Sequence, residues 1–142
     1  MAKSDVLYIP KQYQAFAVNF LPADTTTLKT LYTAPADDAN LIMLSVTSTD
    51  TAARDLLFYY TLAGTDYLIG HIDVPASAGS NGTVNAVNGL NATNLAFTLV
   101  DDTGVNRFLP LKGGAILKAK MAVAVTASTQ ITVTGVVADY TA

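Results

Sequence analysis

Three features of this 142-residue sequence predict an all-β fold, an antiparallel β-sandwich. The first is charge chemistry. All eleven acidic residues are Asp, none is Glu, and only eight residues are Lys or Arg. At 13% charged, the chain has about half the ~25% usual for soluble domains, and it is short of the residues that favour helices and solvate their surfaces. The second is the abundance of β-branched residues, nineteen Thr among them, which suit a pleated, half-buried surface. The third is patterning: short runs that alternate with period two, separated by Pro, Gly, Asn and Asp, with no apolar helical stripe longer than a turn.

The elements follow in order. Residues 1–14 are set apart as an extended N-terminal arm before a single domain at 15–142. They hold Lys3, Asp5 and Lys11 around the apolar cluster Val6-Leu7-Tyr8-Ile9, closed by Pro10. Fully extended, such an arm spans up to about 46 Å, so Val6, Leu7, Tyr8, Ile9 and Tyr13 are the candidate partner-binding residues. In 15–20, Phe16, Val18 and Phe20 share one strand face. A turn at Pro22 to Asp24 leads to a strand at 28–33, and the break at 35–38 to a strand at 41–49. Strands at 55–63 and 66–74, joined around Gly64, form the clearest hairpin. Residues 76–89 are small, polar and rich in Asn-Gly steps, which predicts a surface loop with at most one short strand. Strands are expected at 95–100, 106–111, 115–125 and 130–140, with a tight turn at Asp101 to Gly104. Eight or nine strands at this spacing make a sandwich, of either jelly-roll or immunoglobulin-like order.

A search for chemistry returns little. Nucleic-acid binding is disfavoured, because only Lys112, Lys118 and Lys120 approach a basic cluster. With no cysteine there is neither thiolate nucleophile nor disulfide framework. No stretch reaches the ~18 apolar residues of a membrane helix, the amino end lacks a signal-peptide core, and no membrane partner is expected. The sequons at Asn81 and Asn91 are read as chance matches. His71, the one histidine, shares a face with Tyr67, Ile69 and Asp73, but no nucleophile motif accompanies it. Asp37-Asp38 and Asp101-Asp102 invite a calcium reading. However, position twelve counted from Asp101 is Lys112, which denies an EF-hand its last ligand; local Asp turns explain both pairs. Lys112-Gly113-Gly114 lacks the spacing of a phosphate loop. The chain is expected to be no enzyme and to carry no cofactor or metal. Without Trp, the aromatics available to stack on a sugar are Tyr8, Tyr13, Tyr59, Tyr60 and Tyr67; of the adjacent Tyr59 and Tyr60 one points inward and one outward, and an outward Tyr suits a protein interface as well as a sugar.

The stretch from Ser48 to Asp55, the hairpin from Phe58 to Leu68 and the run from Asp73 to Gly79 together resemble small virion proteins of tailed bacteriophages. So do the run from Phe108 to Leu117 and the closing Val137-Ala138-Asp139-Tyr140. The resemblance covers residues 28–140 and points within that group to capsid decoration, or cement, proteins. It implies a β-sandwich module on the capsid exterior, assembled in the host cytoplasm. Such a module is often trimeric and clamps neighbouring subunits of the major capsid protein. A receptor- or glycan-binding module of a tail fibre, or a head–tail or tail component, is the alternative. The resemblance carries no functional residues of its own.

Overall fold

The computed structural model describes residues 10–140, so Val6, Leu7, Tyr8 and Ile9 of the arm lie outside the described residues. Ten strands are present: β1 (Gln12–Phe20), β2 (Lys29–Thr33), β3 (Ala39–Ser48), β4 (Arg54–Leu62), β5 (Thr65–Val74), β6 (Val87–Asn88), β7 (Leu99–Val100), β8 (Arg107–Leu111), β9 (Ile116–Met121) and β10 (Ile131–Asp139). A single 3-10 turn at Pro22–Asp24 is the only helical element among the described residues.

The strands form two sheets. One runs β1-β10-β3-β8-β7, with β6 alongside part of β3; the other runs β2-β9-β4-β5. Every pairing is antiparallel. Four of these pairs, β4·β5, β3·β8, β2·β9 and β1·β10, read as one long hairpin whose tip is the β4–β5 turn. The hairpin is rolled so that β10 also meets β3 and β9 also meets β4. That is the wrapping of a jelly roll, and it decides the strand order that periodicity leaves open.

Alternation builds the core. Leu56, Phe58 and Tyr60 of β4 point inward with Leu117, Ala119 and Met121 of β9, against Leu41, Leu44, Val46, Ile131 and Val133 of the facing sheet. Burying each large apolar side chain contributes about 1.5–3 kcal/mol relative to leaving it exposed. The hairpin tip uses Ala63 at φ 49° and Gly64 at φ 80°, two positive values in succession as the right-handed strand twist requires of a two-residue turn.

Two segments differ from expectation. The first strand begins at Gln12 rather than Ala15, so residues 12–14 belong to the sheet and not to an arm. Lys11 N–H donates to the Asp139 carbonyl at 2.8 Å, and the Gln12 and Gln14 amides donate to the Asp139 carboxylate at 3.1 and 3.3 Å. These bonds extend the ladder beyond its apolar stretch. The expected strand at 95–100 shrinks to Leu99–Val100. Ahead of it, Leu95 plugs into the core, and the preceding turn is tied by the side chains of Asn88, Asn91 and Asn94. A buried plug held by side-chain-to-backbone bonds satisfies these polar groups without a ladder.

Candidate interaction surface

The two outer faces of the sandwich differ in chemistry. On the six-stranded sheet, cross-strand register lines up three rows: Ala15–Val136–Met43, Ala17–Thr134–Ser45 and Asn19–Thr132–Thr47. A fourth, Tyr13–Ala138–Asn40, continues past a bulge at Val136/Val137. None of these twelve side chains is charged. Tyr13 is 65% exposed and Met43 59%. Between them runs a shallow trough of about 320 Å³ lined by Ala15, Ala17, Met43, Ser45, Thr134 and Val136.

The outer face of the four-stranded sheet carries the charge. Lys118 and Lys120 alternate with the buried residues of β9 and so share one face, as their spacing predicts. Lys118 pairs with Asp66 at 3.0 Å, and Lys120 lies 5.5 Å from the centre of the Tyr59 ring. Hydrogen bonds from the Thr61 hydroxyl and then from Lys118 hold the Asp66 carboxyl below its usual range. This face is solvated in the ordinary way.

A third feature is an apolar crest on the far edge of the six-stranded sheet. Phe97, Leu99, Val100 and Val105 are all exposed. The Phe97 ring meets Tyr60 edge-on at 5.7 Å, while Arg107 donates to the Thr98 hydroxyl at 3.1 Å. Tyr60 points inward, and its hydroxyl donates to the Pro110 carbonyl and accepts from Lys112 N–H. Its neighbour Tyr59 faces outward, as adjacent strand residues must.

The polar groups that invite a chemical reading have local partners. His71 Nε2 sits 3.3 Å from Asp73 Oδ1 on the exposed surface of β5. Among the described residues it makes no hydrogen bond to a hydroxyl. Asp101 accepts from the amide and hydroxyl of Thr103 and from Asn106, and these bonds hold its pKa down at about 2. Its lone pairs are thus spent on the turn. The Gly113 amide, in the glycine pair after Lys112, donates to the Asp38 carboxylate. Among the described residues, no cluster of three or more His, Cys, Asp or Glu is placed to hold a metal ion.

One carboxylate is fully buried. Asp50 follows β3, and burial alone would raise its pKa. The Thr126 and Ala52 amides, Arg54 and the Thr126 hydroxyl all donate to it and hold it well below the usual carboxylate range instead. Arg54 also donates to the Thr126 hydroxyl at 2.7 Å. The network ties together the connections at one end of the sandwich and leaves no open position for a substrate, so its role is structural.

Of the residues singled out as partner-binding, Tyr13 stands on the uncharged face, at the end of β1 nearest the arm. The face itself was missed. Its signal lay in the alternate positions 13, 15, 17 and 19, 43, 45 and 47, and 132, 134 and 136, but nothing in the sequence says that those three strands are neighbours. No protein family, curated protein or solved structure matches this chain. Fold and surface together define a small jelly-roll sandwich with one charged outer face and, on the other, an uncharged stretch across β1, β10 and β3.

Proposed function

We propose that this chain is a structural virion protein, a capsid decoration protein that lies on the outer surface of a phage capsid and bridges subunits of the major capsid protein. The observation that carries this reading is the uncharged stretch of the outer face formed by β1, β10 and β3; charge on that sheet returns only at its β7–β8 end, with Asp101, Asp102 and Arg107. These rows of small, apolar, hydroxyl and amide side chains cost less to desolvate than charges would, and interface cores are depleted in charge. The exposed crest at Phe97 and Leu99 adds apolar contact area. Jelly rolls recur in viral capsid domains, though also in lectins and cupins, so the fold supports the reading only by analogy. A bridging protein on a repeating lattice needs only modest affinity at each contact.

The test is co-sedimentation with expanded capsids. The expected result is hundreds of copies per particle, with attachment weakened by deletion of residues 1–9 and by Met43→Asp. Deletion to residue 9 spares β1, which begins at Gln12. A dozen copies confined to the tail, or micromolar binding of a soluble glycan, would transfer the protein to the tail-fibre class.

A further inference from the structure

Strand β1 is an edge strand, and its open edge lacks the usual defences. Edges are normally blunted by charge, proline, bulges or brevity. The nine residues of β1, QYQAFAVNF, contain no charge and no proline, and pair with β10 without a register shift. The free backbone groups can be placed. Just beyond the β3·β10 ladder the Thr49 N–H donates to the Gln130 carbonyl and the Gln130 N–H donates to the Thr49 hydroxyl, which directs the even-numbered residues of β10 toward β3 in that stretch and leaves the odd-numbered ones facing β1. Register then gives Phe16, Val18 and Phe20 the bonds to β10 and turns Tyr13, Ala15, Ala17 and Asn19 outward. The Lys29 ammonium confirms the direction, since it reaches the Asn19 carbonyl at 2.6 Å. Tyr32 of β2 also stacks on Phe16 and donates to the Gln14 amide oxygen at 3.4 Å, but among the described residues only Lys29 bonds an outward backbone group of β1.

We propose that the edge is closed by a second copy of the chain, β1 against β1 in antiparallel register about a two-fold axis at Ala15. Two observations favour a second copy. With Lys29 holding the Asn19 carbonyl, the residues with both backbone groups open are Tyr13, Ala15 and Ala17, a set symmetric about Ala15 and therefore self-complementary, as an isologous contact requires. The side chains that would meet over the central rows are neutral: Ala15 faces its own copy, and each Tyr13 lies across from Ala17 of the other copy, a cross-strand aromatic on a small residue, while Lys11 lies across from Asn19 at either end. The pair joins two six-stranded sheets into one and sets their uncharged faces side by side. It is a two-fold arrangement, in place of the three-fold one that the resemblance implies, and it does not depend on the capsid reading.

The chain has no cysteine, so single cysteines report the register directly. Facing Ala15 residues place their Cα atoms about 5.5 Å apart, within disulfide range, whereas the two Ala17 residues stand about 14 Å apart. Under mild oxidation, full-length Ala15→Cys should form a disulfide dimer at least about tenfold faster than Ala17→Cys. Ala15→Pro removes only an outward N–H, which edge strands tolerate. It should weaken the dimer at least about tenfold in sedimentation equilibrium while far-UV circular dichroism stays unchanged. A wild-type chain that is monomeric or trimeric in solution, equal cross-linking at the two positions, or a folded Ala15→Pro variant that still dimerises would each overturn the proposal. Loss of capsid attachment by a chain that still dimerises would count against the capsid reading alone.

Discussion

Replacing Asp50 with alanine is expected to destabilise the fold by about 3–5 kcal/mol, because it strands a mostly buried arginine without its counter-charge. The carboxylate also serves the amides of Ala52 and Thr126 and the Thr126 hydroxyl, and these donors would lose their acceptor together. For a chain of this size the loss corresponds to a fall of about 10–15 °C in Tm, to be read by calorimetry at pH 7. The effect has a pH signature of fixed sign. The folded-state pKa of Asp50 is lowered from 3.8, so between the folded and unfolded values the unfolded chain binds more protons, and stability rises with pH there. The contribution is complete above the unfolded value and disappears as pH falls below it. Wild-type stability should therefore fall steeply below about pH 4, and the Asp50→Ala variant should show a shallower fall. Parallel pH curves for the two proteins would show that the network contributes nothing through ionisation.

Truncating Phe58 to alanine is the second large perturbation, at about 3–5 kcal/mol. Phe58 is fully buried in the middle of β4, and its register partners on either side are Ala119 of β9 and Gly70 of β5. One large ring thus stands between two of the smallest residues, the space over Gly70 being taken by the Asn94 carbonyl and the Leu95 side chain. Neither neighbour has a side chain that can swing in, and Gly70 is pinned by the 91–95 turn, whose Asn94 carbonyl leaves no room for a β-carbon. The cavity should stay open, and its cost should appear as a lower urea midpoint at unchanged m. Leu68, on β5 and 59% exposed, is the control: Leu68→Ala should stay within about 0.5 kcal/mol of wild type. Similar losses for the two variants would mean that the ring is not the packing centre its register implies.

The sequence displays individual strands far better than their neighbours. The hairpin of β4 and β5 is legible because Leu56, Phe58 and Tyr60 alternate cleanly and Gly64 supplies the positive φ of the turn. The start of β1 is not, because residues 12–14 are held by Asp139, a residue no local window contains. The segment 95–100 is misread for the opposite reason. Its composition suits a strand, but Leu95 is taken by the core and Phe97 by Tyr60, so only two residues are left for a ladder. Jelly-roll and immunoglobulin-like orders both place alternating strands in two sheets, so periodicity cannot separate them; the pairings β1·β10 and β2·β9 do. The interaction surface was legible only as low charge. Its location required knowing that β1, β10 and β3 lie side by side.

The rolled hairpin also sets the order in which the molecule can be made. Gln12 is synthesised well before Asp139, 127 positions later, with which it bonds in the finished sheet. On the ribosome β4 and β5 can close at once, whereas β1 must wait for β10. Throughout that delay both margins of a neutral, proline-free strand stand open to any other nascent chain on the same message. For this protein, the crowding of polysomes is therefore the setting in which a β1 segment is most exposed to the wrong partner, and to the right one.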